Sequence, residues 1–232
     1  MLVSVKLRKR DGKKRKDGMF KVELLIFDLD GTLIDSSEDI AWAVNKTLKQ
    51  MGVEELSYQA IKDRIGWGVK MLLEKVLPEE RHNLLEEARA IFMGYYSNHL
   101  LVRTRPYNSV IDVLEYFKNK RLAVATNKPL NLTEKILDGL NITDYFKKVV
   151  GGDGVRNKKP APEAIEIILK ELKASPKNTV FVGDSKIDIE AGKKAGVVTI
   201  GAAYGFRGRQ ELEEAGADVI IEDIRELTSL CI

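Results

Sequence analysis

Two periodicities alternate along the chain and predict strands and helices in turn. Short runs rich in valine, isoleucine and leucine have the length of buried strands, and they read VELLIFDL, RLAVATN, KKVVGGD, NTVFVGD, GVVTIGA and ADVIIED. Between most of these runs, apolar residues recur every three or four positions, as in YNSVIDVLEYFKNK, LNLTEKILDGL, APEAIEIILKELK and KIDIEAGKKAG. That spacing is typical of helices. The alternation predicts an open α/β sheet of parallel strands joined by right-handed crossovers.

Residues 36–104 interrupt this alternation because they contain helical patterns and no convincing strand. The segment SSEDIAWAVNKTLKQMG predicts a first helix with a serine cap. The apolar stripe predicted along a later helix consists of Leu84, Ala88, Ile91, Tyr95 and His99. We therefore predict an all-helical cap at 36–104, inserted between core segments 19–35 and 105–232. The insertion leaves the core just after Asp28 and Asp30 and returns before Pro106, so its two linkers lie near these aspartates and we expect the cap to act as a lid.

The composition sets the broad class of the protein. The chain has 232 residues, 44% hydrophobic and 31% charged, which is enough to bury a core. No apolar run approaches the roughly 20 residues of a membrane helix, and the first residues lack the apolar stretch of a signal peptide. These patterns predict a cytoplasmic protein with no membrane partner. The single cysteine excludes an intrachain disulfide and a zinc site made of thiolates.

The net charge of +3 is unevenly distributed. Residues 1–18 hold eight Lys or Arg and two Asp, so the remaining chain is acidic. Such a basic extension could bind RNA, DNA or anionic lipid, but no aromatic side chain is interleaved to stack on bases. A short edge hairpin, a solvated tail, or a true start at Met19 accounts for it without a partner. We favour these interpretations and expect no nucleic-acid partner.

Two aspartates follow the first predicted strand at once, in LLIFDLDGTLIDS. Asp28 and Asp30 are two residues apart, so both side chains could reach the crevice beyond the strand end. Two carboxylates this close repel each other, and a hard cation such as Mg²⁺ would offset that cost. Gly31 would allow the backbone to turn sharply and to approach a ligand. The pair therefore predicts a site for a metal ion and an anion.

Other strand ends carry polar side chains of matching chemistry. Asp184 ends the strand in VFVGDSKIDIEAG, and Asp188 lies one turn into the next helix, so both could complete a metal site. Thr126 and Asn127 end another strand and offer a hydroxyl and an amide to phosphate oxygens. The segment NKKPAPE supplies lysines, which can neutralise both a carboxylate and a transferring phosphoryl group. In open α/β sheets, ligands bind beyond these carboxyl ends of strands.

In this order the motifs DLDGT, TN, KKP and GDSKID resemble the haloacid dehalogenase superfamily of aspartate-nucleophile phosphatases, from about residue 22 to 223. The resemblance implies a Rossmann-like core, a Mg²⁺ cofactor and hydrolysis through an aspartyl-phosphate. It makes Asp28 the nucleophile and Asp30 the general acid and base. The remaining implied roles are phosphate binding by Thr126 and Asn127, charge balance by Lys159, and metal binding by Asp28, the Asp30 carbonyl and Asp184, with Asp188 a direct or an indirect ligand. Lys159 is chosen over Lys158 because the family lysine directly precedes the proline.

The predicted cap also resembles the phosphoglycolate phosphatase branch, in which a Gly-x-Gly often precedes an apolar helix, here IGWGVKMLLEKVL. This similarity implies a small phosphorylated metabolite, 2-phosphoglycolate, as the substrate. Gly66, Trp67 and Lys70 are then the candidate contacts to its organic part, and a lysine would suit a small carboxylate. Trp67 packed within the cap and Lys70 in solvent are equally compatible with the pattern.

Several other functions stay open at this point. Pyrophosphate, sugar phosphates and nucleotides fit the same core, and a phosphoglucomutase-type phosphotransferase would share its motifs. A dehalogenase needs no proton donor at the second aspartate, so Asp30 argues against it. A phospho-acceptor signalling module also groups carboxylates, Thr and Lys at parallel strand ends. Its acidic pair, however, precedes a separate acceptor aspartate, and no helical lid follows.

Overall fold

The computed structural model describes residues 20–232. The predicted basic extension at 1–18 lies outside the described residues. The β-strands are β1 (Leu24–Phe27), β2 (Ile34–Asp35), β3 (Arg105–Pro106), β4 (Arg121–Ala125), β5 (Phe146–Val150), β6 (Thr179–Gly183), β7 (Val198–Ala202) and β8 (Val219–Ile221). The α-helices are α1 (Ser37–Gln50), α2 (Tyr58–Lys62), α3 (Val69–Val76), α4 (Leu85–Ser97), α5 (Val110–Tyr116), α6 (Leu130–Gly139), α7 (Glu163–Glu171), α8 (Lys186–Ala195), α9 (Gly208–Ala215) and α10 (Leu227–Leu230). Within residues 20–232, no helix combines the length and the apolar character that crossing a membrane requires.

Six strands form one parallel sheet in the order β5-β4-β1-β6-β7-β8. This confirms the predicted α/β fold and all of the strand runs that predicted it. The chain first builds outward from β1 through β4 to β5, and then crosses to β6 on the other side. The order therefore reverses beside β1, which is where open α/β sheets bind their ligands. Asp28, Thr126 and Asp184 follow three adjacent strands at that point.

The central strand alternates its side chains between two hydrophobic layers. Leu25 and Phe27 belong to the larger core cluster, whereas Leu24 and Ile26 belong to a smaller one that includes apolar residues of α7. All of these side chains are fully buried, and burying each one contributes roughly 2 kcal/mol. Because helices cover both faces, the strand is apolar at every position, as parallel strands usually are. The sheet therefore gives the polar residues at its end a rigid support.

Helices α1 to α4 form the segment inserted between β2 and β3. The two short strands pair antiparallel, so the chain leaves the core and returns to it at one place. Asp39 of α1 joins the two ends, since its buried carboxylate accepts hydrogen bonds from the backbone N–H groups of Arg103 and Thr104 and from the Thr104 hydroxyl. The insertion is thus held at its base by a buried, charge-assisted contact.

The buried stripe of α4 differs from the predicted one. Ala88, Phe92 and Tyr96 are buried, whereas Ile91 and Tyr95 are half-buried. Both sets have helical spacing, but adjacent positions on a helix differ in direction by about 100°. The sequence YY could therefore present either tyrosine, and the packing of α4 on α1 and α3 selects Tyr96. This difference matters because Tyr96 reaches the site at the strand ends.

Candidate active site

Asp28 and Lys159 form the centre of the site. Asp28 directly extends β1, its N–H donating to the Val182 carbonyl of β6. Lys159 Nζ lies 2.6 Å from Asp28 Oδ1, 2.7 Å from Asp188 Oδ1 and 3.0 Å from the Ala125 carbonyl oxygen. All of these donors and acceptors are buried. The lysine chosen by its position before Pro160 therefore contacts the aspartate chosen as nucleophile.

The electrostatics of this centre are those of closely spaced, desolvated charges. Burial raises the pKa of Asp28 to about 7, although the nearby charge of Lys159 opposes the shift. Burial also raises the pKa of Asp184, and the charges of Asp188 and Asp28 raise it further. Burial alone would lower the pKa of Lys159, but the carboxylates of Asp188 and Asp28 raise it above its usual range. The cluster holds more negative than positive charge, so a further cation would stabilise it.

Three carboxylates of this centre are spaced to hold a metal ion. Oxygen atoms of Asp28, Asp184 and Asp188 lie within 4.8 Å of one another. Both oxygens of Asp188 accept hydrogen bonds, from Lys159 and from Ser185. Asp28 and Asp184 each accept a hydrogen bond on one oxygen, and their other oxygens accept none within residues 20–232. This donor set fits a hard divalent cation, with Asp28 and Asp184 the better placed ligands.

The turn after Asp30 requires glycine for two reasons. Gly31 has φ of +92°, which L side chains rarely adopt. A Cβ at this position would also lie 2.3 Å from Asp184 Oδ2. The absence of a side chain therefore lets the first strand end and the Asp184 strand end approach each other. The DLDGT motif needs its glycine for this contact as well as for the turn.

Asp30 is held by residues that were not predicted. Its Oδ1 accepts from Ser36 Oγ at 2.5 Å, and Lys128 Nζ lies 2.9 and 3.0 Å from its two oxygens. Lys128 Nζ also donates to the Tyr96 hydroxyl at 2.7 Å. Ser36 was expected to cap α1, but its side chain makes no cap hydrogen bond. The signal for Lys128 in the sequence was its place directly after Thr126 and Asn127.

The two residues predicted to bind phosphate occupy different places. Asn127 Nδ2 donates to the carbonyls of Gly66 and Lys159, and its Oδ1 accepts from the Lys159 N–H. Its amide therefore joins the loop of the cap to the loop that carries the lysine. Thr126 lines the same cavity as Asp28 and accepts the Lys128 N–H on its hydroxyl. The structure brings both residues together with the aspartates, and their phosphate contacts stay a prediction.

A cavity of about 40 Å³ opens between the aspartates and the cap. Its lining residues are Asp28, Asp30, Ile40, Ile65, Gly66, Gly68, Val69, Leu72, Phe92, Tyr96, Thr126, Asn127 and Lys128. Gly66 lines this cavity, whereas Trp67 and Lys70 are not among its lining residues. Trp67 lines a second cavity, where Lys75 Nζ lies 4.8 Å from its ring centre, and Lys70 is exposed. Their predicted contacts with substrate are therefore separated from the aspartates in this arrangement.

The comparisons with known proteins agree with this geometry. Residues 25–202 match the family model of haloacid dehalogenase-like hydrolases. The chain is 44% identical over 187 residues to a phosphoglycolate phosphatase of Aquifex aeolicus, covering 80% of this chain and 86% of that one. It is 35% identical over 214 residues to the phosphoglycolate phosphatase of Colwellia psychrerythraea, covering 88% and 95%.

Solved structures give the same result for the whole fold. The crystal structure of a predicted phosphoglycolate phosphatase from Haemophilus somnus matches with a TM-score of 0.83 and 30% identity. The match covers 91% of this chain and 100% of that chain. The sheet order, the carboxylates at its strand ends and these similarities lead to one conclusion. The chain belongs to the family of haloacid dehalogenase-like hydrolases.

Proposed function

We propose that the protein is a Mg²⁺-dependent phosphatase that hydrolyses 2-phosphoglycolate through an aspartyl-phosphate. The buried pair of Asp28 and Lys159 carries this proposal, because the carboxylate of Asp28 lines a small cavity and contacts a buried cation. The names of the most similar curated relatives support the choice of ester. The cap at 36–104 would close over this ester.

In the first step, a carboxylate oxygen of Asp28 attacks phosphorus and the bond from phosphorus to the ester oxygen breaks. Asp30 gives its proton to the departing oxygen, so the alcohol leaves neutral and the phosphoryl group stays on Asp28. Covalent catalysis of this kind divides one difficult displacement into two easier ones. Lys159 offsets the negative charge that would otherwise keep an anionic nucleophile from an anionic phosphate.

In the second step, Asp30 takes a proton from water, and the water oxygen attacks the phosphorus of the aspartyl-phosphate. Phosphate leaves and the Asp28 carboxylate is regenerated. Asp30 accepts hydrogen bonds from Ser36 and Lys128, and these contacts hold its carboxyl group in place for both proton transfers. A bound Mg²⁺ would be held by Asp28, Asp184 and the Asp30 carbonyl, and would supply charge stabilisation to the phosphoryl group.

The size of the cavity supports a small leaving group. A volume of about 40 Å³ has room for a few water molecules. An alcohol of four or five heavy atoms is closer to that size than a nucleoside or a hexose is. We therefore place 2-phosphoglycolate ahead of nucleotides and sugar phosphates as the substrate.

Phosphate release from a panel of esters tests the proposal. The panel contains 2-phosphoglycolate, pyrophosphate, glucose 6-phosphate and a nucleoside monophosphate, each assayed with Mg²⁺ and with EDTA. We expect release to be fastest from 2-phosphoglycolate, to stop with EDTA and to be lost in Asp28→Asn. The exposed Asp112→Asn is the matched control and should retain the wild-type rate. Isomerisation of a sugar phosphate without net release of phosphate would instead indicate a phosphotransferase. Faster release from another ester would mean that this ester, and not 2-phosphoglycolate, is the preferred substrate.

A further inference from the structure

One buried cation in the cavity contacts Asp30 but transfers no proton and attacks no atom in the two steps above. Lys128 lies directly after the Thr126–Asn127 pair, and its ammonium is buried between Asp30 and Tyr96. Among the described residues that line the cavity, it is the one with a cationic side chain. A buried lysine is costly to desolvate, so its position calls for an explanation beyond packing.

The opposite wall of the cavity is apolar. It is formed by side chains of α1, α4 and the segment around α3, namely Ile40, Ile65, Val69, Leu72 and Phe92. Such a wall offers no partner to an ionised group, and a carboxylate placed against it unpaired would be strongly disfavoured. A substrate with an anionic leaving group therefore needs the cation of Lys128 in order to enter.

Two hydrogen-bond donors converge at this place. An ammonium carries three N–H donors, so Lys128 can serve Asp30, Tyr96 and one further acceptor when the two oxygens of Asp30 share a donor. The Tyr96 hydroxyl accepts from Lys128 and donates to no acceptor within residues 20–232. Burial raises the pKa of Tyr96 to about 12, so the hydroxyl keeps its proton at neutral pH. An ammonium and a hydroxyl side by side match the two oxygens of a carboxylate.

We propose that Lys128, with the Tyr96 hydroxyl beside it, binds the carboxylate of the substrate's leaving group and selects esters in which that carboxylate lies next to the ester carbon. The inference rests on the proposed function and specifies how the site recognises its substrate. Lys128 touches Asp30, the group that protonates the ester oxygen. In 2-phosphoglycolate one methylene separates that oxygen from the carboxylate, a span of about 3 Å. Lys128 thus replaces the exposed Lys70 as the residue proposed to bind the substrate carboxylate.

The test compares two esters that differ only in this group. Ethyl phosphate has a methyl where 2-phosphoglycolate has its carboxylate. We expect Lys128→Met to lower kcat/KM for 2-phosphoglycolate about 100-fold more than for ethyl phosphate, the usual scale for removing one partner of a buried charge pair. Tyr96→Phe should lower the same ratio about 5-fold, the scale of one hydrogen bond. Lys170→Met, at the exposed end of α7, is the control and should leave both rates unchanged.

Equal losses for the two esters would overturn the proposal, because Lys128 would then act on the chemical step through Asp30. If Lys128 acts only through Asp30, Lys128→Met should also hydrolyse p-nitrophenyl phosphate at a near-normal rate, because this leaving group needs little protonation. A selective loss in Lys70→Met in place of Lys128→Met would overturn it as well. If Lys128→Met does not fold, Lys128→Arg and Tyr96→Phe provide the test. The proposal then requires that Lys128→Arg keeps the preference for 2-phosphoglycolate over ethyl phosphate and that Tyr96→Phe reduces it. A wild-type enzyme without preference for 2-phosphoglycolate would mean that the proposed function itself is wrong.

Discussion

The two walls of the cavity differ in chemistry and in how they are supported. The core wall carries Asp28 and Thr126 at the ends of two central strands, and behind it Lys159 joins Asp28 to Asp188 by hydrogen bonds. The cap wall is mainly aliphatic and aromatic and stands on helices α1, α3 and α4. Fixed charges are what phosphoryl transfer requires, whereas an apolar surface mainly excludes water and sets shape. This difference is what the proposed function requires of a core that performs the reaction and a cap that selects the substrate.

Two buried lysines make the same contrast at the scale of single residues. Lys159 contacts only core groups, namely Asp28, Asp188 and the Ala125 carbonyl. Lys128 also belongs to the core, but it donates to Tyr96 of the cap. Under the proposed function, Lys159 serves the reaction, while Lys128 lies where the core meets the cap. The predictions below test this division, beginning with the largest expected effect.

Removal of the core lysine should abolish activity and weaken the fold. Lys159→Met leaves the buried Asp28 and Asp188 without their shared cation. We expect turnover to fall by at least about 10³-fold and the free energy of unfolding to fall by about 3 kcal/mol. Mg²⁺ should restore part of the stability and none of the turnover. Phosphate release and thermal unfolding measure the two effects.

The adjacent lysine is the matched control for this variant. Lys158 is exposed and stands one position earlier. Lys158→Met should unfold at the wild-type temperature and keep its rate. Comparable losses in both variants would mean that the local loop, and not the ion pair, is responsible.

The base of the cap gives the next effect, which should fall on stability. Asp39→Asn weakens the hydrogen bonds that Arg103 and Thr104 donate to the buried carboxylate. We expect a loss of about 2 kcal/mol in the free energy of unfolding, together with a higher KM as the cap is held less firmly. Glu38→Gln is the neighbouring control, because the Glu38 side chain is exposed and its ion pair with Arg103 is long, at 4.0 Å. An unchanged KM in Asp39→Asn would mean that the contact at the base of the cap does not affect substrate binding.

The charge cluster of the core should also make stability depend on pH. Asp28 loses its proton near pH 3.8 in an unfolded chain and near pH 7 in the fold. The folded state then holds the additional proton between these values, so the contribution of Asp28 to stability is fully present below pH 3.8 and is lost as pH rises through about 7.

The slope of this fall is measured by thermal unfolding in EDTA, as the difference between wild type and Asp28→Asn. Mg²⁺ needs ionised ligands, so the increase in Tm that it causes should grow across the same pH range. An Mg²⁺-induced increase in Tm that is equal at about pH 5 and about pH 7.5 would contradict the assignment of Asp28 as a ligand.

The smallest effect is expected from the cap residues that lie outside the cavity. Trp67→Phe and Lys70→Met should change KM for 2-phosphoglycolate less than about threefold, because Trp67 faces a second cavity and Lys70 is exposed. Tyr95→Phe, whose hydroxyl bonds to Gln50 on the surface, serves as a further control in the same cap. A tenfold rise in KM for Trp67→Phe would mean that the loop carrying Trp67 moves to the substrate. It would then contradict the separation of the cap residues outside the cavity from substrate binding.

The core could be predicted from the sequence because its information is local. Asp28, Thr126 and Asp184 each follow a strand run directly, and parallel strands bring their carboxyl ends to one edge of the sheet. Their close approach also depends on the order β4-β1-β6, which the strand runs did not predict. Lys159 followed from the resemblance, since nothing in the spacing alone separates it from Lys158. Its contact with Asp28 depends on how the loop after β5 folds back.

The cap could be predicted only as a set of helices. Its contacts with the site depend on how a whole helix is rotated and placed, and Tyr95 and Tyr96 were equally good candidates by spacing. Ser36 carried a correct helix-start signal, but its hydroxyl is used by Asp30. Lys128 was not predicted, although it directly follows Thr126 and Asn127, because its partners come from two separate segments. Long-range packing is thus the part that local patterns did not contain.

The pairing of β2 with β3 has a consequence for how such enzymes diversify. The inserted helices are attached through two strands of two residues each, which lie side by side. A different insertion can be grafted at this junction without moving any of the six strands of the main sheet. Selection can therefore exchange the recognising part of the enzyme as a module while the catalytic part is inherited unchanged. New substrates then arise without rebuilding the chemistry.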